Sequence, residues 1–288
     1  MNEYVIFADS ACDIKPEKLQ EWGVSFCSLV FRFDGDDREY SNFDMPSKDF
    51  YDRMREGGVA KTAAVNVETF SQAFEKFLAE GKDILYLGFS SGLSTTYNSA
   101  RLAAEQLKEK YPDRKVITVD TLAASAGVGL LIYLTVKKKN EGASIEEAAK
   151  FAEDLKLNIS HWFTVDDLMY LKRGGRVSPT VAFVGNVLGI KPVMHVDNEG
   201  HLINITKVRG RKTAVEALAN KYDELAQNKK EGSLFISHGD CMKDAEYLAS
   251  IIKEKHGVDI EIITDVGPVI GAHTGPGVLA FFFVANER

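Results

Sequence analysis

ILYLGFSSGLSTTYNSA, residues 84–100, runs from an apolar strand through a loop crowded with hydroxyls into a helix. A strand leading straight into a helix is half of a β-α-β unit, and repetition of that unit builds a parallel sheet. The junction also suits an anion. N–H groups at a helix start are unpaired and carry the positive end of the helix dipole, and Ser90, Ser91, Ser94, Thr95 and Thr96 place side-chain donors beside them. No Lys or Arg lies within the loop. It is therefore suited to a carboxylate or phosphate held without full neutralisation.

Outward from this stretch the first half keeps alternating. YVIFAD (4–9) reads as a strand, Pro16 opens a helix, and SFCSLVFRF (25–33) reads as one strand closed by the turn at Asp34 and Gly35. A helix near Pro46, a loop over 61–66 and a helix from Val67 to about Glu80 precede the strand at Ile84; VITVD (116–120) follows the next helix. Residues 122–136 read as a buried helix, and Ser144 with Glu147 forms a capping box for another. Near His161 the pattern changes. HWFTV is a strand, DDLMYLKRGG a helix ending on two glycines, and Ser178 with Pro179 starts a further helix. KPVMHV, LINITKV, SLFISH, VDIEIITDV and GVLAFFFVA are strands with two long helices between them. The expectation is an α/β chain in two domains, residues 1–160 and 161–288, the second a smaller mixed sheet covered by helices in two layers.

Composition narrows the function classes. At 288 residues with 45% hydrophobic and 27% charged, the chain can bury two cores and has no disordered linker. A formal charge of −7 argues against general nucleic-acid binding. Cys12, Cys27 and Cys241 are scattered and odd in number, so neither a disulfide framework nor a thiolate metal site is indicated, and a reducing cytoplasm fits. The start MNEYVIFADS has no signal-peptide pattern, and no apolar run is long enough to span a membrane.

The Ser94 loop has competing readings: a plain helix cap, a nucleotide site, or a nucleophile. The nucleotide reading lacks the Lys that phosphate-cradling loops carry. Gly92-Leu93-Ser94 begins the nucleophile-elbow pattern and His273 follows far downstream, yet Thr96 stands where the elbow needs a small residue. Ser94 and His273 thus define the alternative function, a serine hydrolase of acyl esters. GPVIGAHTGPG (267–277) sets His273 and Thr274 in a glycine-rich turn, which implies close backbone approach, and a near-neutral imidazole there donates to an anion or acts as a base. Lys172, Arg173, Arg176, Lys207, Arg209, Arg211 and Lys212 form a basic cluster able to steer an acidic partner. The acidic turn from Asp34 to Glu39 lacks calcium-loop spacing, and His238, Asp240 and Cys241 are too few for a metal, so no metal is expected.

Taken together, DSACDI (9–14), KTAAVN (61–66), SSGLSTTYNSA (90–100), YLKRGGRVS (170–178), GIKPVMHVDNEG (189–200) and GPVIGAHTGPG resemble the DegV family in order and spacing along the whole chain. That resemblance implies a Rossmann-like three-layer first domain and a protein similar to the lipid-carrying subunit of a bacterial fatty acid kinase. It would be a non-catalytic carrier without a cofactor, holding a long-chain fatty acid near the domain junction for a separate kinase subunit to phosphorylate. The resemblance puts the head-group hydroxyls on Thr62 and Ser94 and the site histidine on His273; beside them Ser91, Thr95 and Thr274 are candidate secondary contacts, and Arg173 and Arg209 of the basic cluster are candidates for docking the kinase. Residues 63–66 depart from the family's more polar Thr-Ser-Gln-Pro-Ser motif, and Thr95 stands where the family usually has Gly. The small residues of 122–136 are the expected wall for the acyl tail.

Overall fold

The computed structural model describes residues 3–177 and 189–288. Four parallel strands form the first sheet in the order β2 (Val24–Cys27), β1 (Tyr4–Asp9), β6 (Asp83–Gly88), β7 (Val116–Asp120). Every residue of β1 and β6 is buried, as expected for strands covered on both faces. Phe7 and Tyr86, paired across the two strands, turn their rings onto Phe74 of α3 (Val67–Ala79), and α3 packs on α4 (Thr96–Lys110).

The second sheet is mixed and has six strands, in the order β10 (Leu202–Arg209), β9 (Ile190–Val196), β8 (Ile159–Thr164), β13 (Leu279–Val284), β11 (Phe235–His238), β12 (Ile262–Asp265). Period-two alternation assigns its faces. Trp162, Val193, Leu279, Phe281 and Phe283 share a core with α8 (Arg211–Leu225) and α9 (Met242–His256). Phe163, Met194, Val196, Ala280 and Phe282 instead join the core that contains the parallel sheet. The helix α5 (Ala126–Asn140) touches β1 and β6 on one side and β8, β11 and β13 on the other. Lying between two sheets, it is apolar on nearly every side from Ala126 to Val136, and Lys137, Lys138 and Lys139 end it. α6 (Ile145–Leu155) follows, and the capping box of Ser144 and Glu147 is formed.

Several features differ from the sequence reading: the mixed sheet, expected to be the smaller, has six strands against four in the parallel sheet, and the helix expected over 122–136 runs over Ala126–Asn140. Residues 25–33 are not one strand: β3 (Val30–Phe33) leaves β2 and joins a small antiparallel sheet with β4 (Tyr40–Ser41) and β5 (Ala60–Ala63). The break falls at Ser28 and Leu29, where the Leu29 N–H donates to Ser10 Oγ at 2.9 Å instead of continuing the ladder. Residues 60–63 are therefore a strand and not a loop, because β3 supplies the partner. The glycine-rich stretch from Gly267 contains a short helix, α10 (Pro268–Thr274); Pro268 starts it, and Gly275, at φ +77°, stops it. α2 (Ser47–Arg55) packs against it. The helix start expected at Ser178 and Pro179 lies outside the described residues.

Candidate functional site

Between the inner face of the mixed sheet and the loops of the parallel sheet lies a cavity of about 510 Å³, within the roughly 300–1,000 Å³ of small-molecule sites. His161 and Phe163 of β8, Ala280 and Phe282 of β13 and Val196 of β9 form one side, every second residue of each strand facing in. Leu29, Phe89, Leu93 and Ala124 close the other. The walls are mostly aliphatic and aromatic.

All six residues expected at the site line this one cavity: Thr62, Ser91, Ser94, Thr95, His273 and Thr274. Thr62 arrives on β5, and its Oγ1 lies 2.8 Å from His273 Nε2 on α10. His273 Nδ1 has no hydrogen-bond partner and faces Gly174, where a Cβ would come within 2.2 Å of it. Burial first, and the Arg176 guanidinium second, push the His273 pKa down to about 4, so the ring is neutral at neutral pH. Thr274 has turned its hydroxyl back onto the Ile270 carbonyl, 3.2 Å away.

In the hydroxyl loop the side chains divide. Ser90 is buried and donates to the Gly200 carbonyl at 2.9 Å, tying the loop to the β9–β10 turn. Ser94 Oγ accepts the Thr96 N–H at 3.2 Å and sits 2.9 Å from Thr96 Oγ1, so it caps the start of α4 while lining the cavity. The hydrolase pairing of Ser94 with His273 is not made: each has another partner.

Arg176 changes the electrostatics inferred from the loop alone. It lines the cavity, half-buried, with Nε donating to the Leu93 carbonyl at 3.2 Å and Nη1 to the Gly174 carbonyl. Burial lowers its pKa, which remains that of a guanidinium. A cation therefore reaches the site from 83 residues away, and the expectation of an anion held by neutral groups alone is corrected. The Leu93–Arg176 and His273–Thr62 hydrogen bonds both border the cavity, and the Arg176 charge acts on the His273 ring, so the hydroxyl loop, α10 and β5 share one polar end.

The basic cluster is otherwise dispersed. Arg211 pairs with Asp244 at 2.8 Å and Lys212 lies 3.9 Å from Glu216, while Arg173 and Arg209 are exposed. The tail wall expected from residues 122–136 is also corrected, since only Ala124 and Ser125 of that stretch line the cavity. Gly127 accommodates the His161 ring and Gly129 accommodates Ile14, so the small residues serve close packing between elements. His161, absent from the sequence-derived site, is neutral: burial holds its pKa well below the ordinary value, Nδ1 lies 2.7 Å from the Ile159 carbonyl and Nε2 accepts the Ala124 N–H at 3.3 Å. Among the described residues no cluster of His, Cys, Asp and Glu could hold a metal, and no helix is long and apolar enough to cross a membrane.

The family model described as "Uncharacterised protein, DegV family" matches residues 3–286. This chain belongs to the DegV family. A DegV domain-containing protein of Clostridium perfringens is 43% identical over 291 residues, covering 100% of this chain and 99% of its own. A Thermotoga maritima protein whose structure revealed a fatty acid binding function is 31% identical, with a TM-score of 0.86 over 99% of this chain and 100% of that one. The stearic-acid-binding protein of Eubacterium ventriosum is 26% identical, with a TM-score of 0.88 over 98% of each chain. The α/β architecture, a four-strand parallel sheet beside a six-strand mixed sheet, is thus that of solved DegV structures.

Proposed function

We propose that this DegV-family chain is a cytoplasmic, non-catalytic carrier that binds a long-chain fatty acid, with the carboxylate at Thr62, Ser94 and His273 and the tail along the inner face of the mixed sheet. The observation that carries the reading is a mostly apolar cavity whose polar groups converge around the Thr62–His273 contact. Fatty acid binding by structurally similar proteins of 26% and 31% identity supports it.

Burying a chain of roughly sixteen carbons gains about 0.8 kcal/mol per methylene, about 12 kcal/mol gross, against an association cost of about 4–15 kcal/mol. The tail supplies most of the affinity. At the head, Thr62 can donate its hydroxyl proton to a carboxylate only if Oγ1 in turn accepts from His273, which selects the Nε2–H tautomer and leaves Nδ1 bare, in keeping with its lack of a partner. Arg176 adds one partly committed guanidinium, so the carboxylate is oriented without being clamped between two cations. A carboxylate held this way keeps a nucleophilic oxygen for a phosphoryl donor, which supports presentation to a separate fatty acid kinase subunit. Exposed Arg173 and Arg209 are the proposed docking cations.

A chain-length series tests the reading. Affinity should rise about fourfold per added methylene from octanoate upward until the cavity is filled. Affinity independent of chain length would overturn it. Charge reversal at Arg173 and Arg209 should leave that series intact and abolish phosphorylation by a fatty acid kinase.

A further inference from the structure

The turn DSACDI, residues 9–14, contributes nothing to the cavity lining, yet it is hydrogen-bonded to the segments that do line it. Asp9 Oδ2 accepts the Phe89 N–H at 2.9 Å and the Tyr86 hydroxyl at 2.7 Å. Ser10 Oγ accepts the Leu29 N–H at 2.9 Å. Asp13 reaches furthest. Its Oδ2 accepts the Ser125 hydroxyl at 2.6 Å, and its Oδ1 accepts, at 3.0 Å, the N–H of Gly267, the residue that opens the helix carrying His273.

Two further observations make this more than a buried hydrogen bond. Asp13 at φ +52°, Leu122 at +51° and Ser125 at +53° all occupy the left-handed region that favours glycine, and two of them are joined by the 2.6 Å bond. Such backbone is unfavourable for a residue with a side chain and persists only where surrounding contacts impose it. On the other side, a Cβ at Gly267 would lie 2.9 Å from Asp13 Oδ1 and 2.5 Å from Asn42 Nδ2, so carboxylate and helix start are in direct apposition.

We propose that Asp13 is a positioning residue of the fatty acid site, its two carboxylate oxygens fixing the cavity wall at Ser125 and the His273 helix relative to each other so that tail pocket and head-group contact move as one unit. The proposal rests on the fatty acid reading above for its consequence and on the geometry alone for the coupling. Asparagine can keep both links, with Oδ1 to the Gly267 N–H and Nδ2–H to Ser125 Oγ, whose own proton turns to Ser237 Oγ, 2.9 Å away. Alanine keeps neither.

The test compares full-length wild type, Asp13→Ala and Asp13→Asn by stearate titration and by amide hydrogen exchange without lipid. Asp13→Ala should raise the stearate Kd at least tenfold and speed exchange in residues 121–129 and 267–275 together, leaving α8 and α9 at wild-type rates. Asp13→Asn should recover most of both losses. Loosening of only one segment, exchange raised throughout the chain, or an unchanged stearate Kd with both segments loosened would overturn the assignment. If wild type binds no stearate, the fatty acid reading fails, while the exchange data still decide whether Asp13 couples the two segments.

Discussion

Thr62 and His273, 211 residues apart in the chain, meet at 2.8 Å through Oγ1 and Nε2 in the wall of the cavity. The contact joins β5, an edge strand of the small antiparallel sheet, to α10, which leads into the mixed sheet. Thr62→Val keeps the branched shape and removes the hydroxyl. A hydrogen bond to a charged acceptor contributes about 1.5–3 kcal/mol, so the stearate Kd should rise about tenfold to a hundredfold while the thermal midpoint changes little. An unchanged Kd would remove Thr62 from the head-group site.

Gly174 is the packing surface for the same imidazole. A methyl there meets His273 Nδ1 at 2.2 Å, so Gly174→Ala should displace the ring from Thr62 and weaken stearate binding by about the same factor as Thr62→Val. Overpacking should also cost about 1–3 kcal/mol in stability. Because both changes break one contact, the double variant should bind little worse than either single variant; additive losses would show two separate effects.

Two buried groups give stability opposite pH slopes. His273 titrates near 4 in the fold, against an ordinary histidine value near 6.5, so between those values the unfolded chain binds more protons and stability falls as pH is lowered through the window. Asp13 behaves in reverse: burial, opposed by its hydrogen bonds and reinforced by Asp265, raises its pKa to about 7, so the stability it contributes below pH 4 is lost as pH rises from 4 to 7. Thermal midpoints measured from pH 4 to 8 should show His273→Gln flattening the acid side and Asp13→Asn gaining most above pH 7. A His273→Gln profile parallel to wild type would contradict a neutral buried imidazole.

Legibility in the sequence followed the range of the forces involved. The apolar strands β1 and β6 and the Ser144 capping box are set by local pattern and formed where they were expected, while the helix expected over 122–136 formed four residues later, over Ala126–Asn140. Thr62, Ser94 and His273 were singled out from short motifs and a family resemblance, and only the fold shows that all three line one cavity. The break at Ser28 and the strand at 60–63 escaped because each depends on a distant partner, Ser10 Oγ for one and β3 for the other. Arg176 looked like one cation in a surface cluster, and only the Leu93 and Gly174 carbonyls, brought beside it by folding, direct it into the cavity. The glycine pair before it was the available signal.

Ala280 lies on β13 between Val278 and Phe282, the three alternate residues of this stretch that face the cavity. Ala280→Phe should fill the path of the chain. Stearate affinity is expected to drop at least tenfold with octanoate much less affected, as titration of the two acids would show. Equal losses for both acids would place the chain elsewhere.

The most direct measurement is mass spectrometry of the organic extract of the full-length protein purified without added lipid. The account predicts a long-chain fatty acid in near-stoichiometric amount, depleted in the Thr62→Val and Gly174→Ala proteins. A short polar acid in its place, or protein that remains lipid-free and binds no stearate when it is supplied, would contradict it.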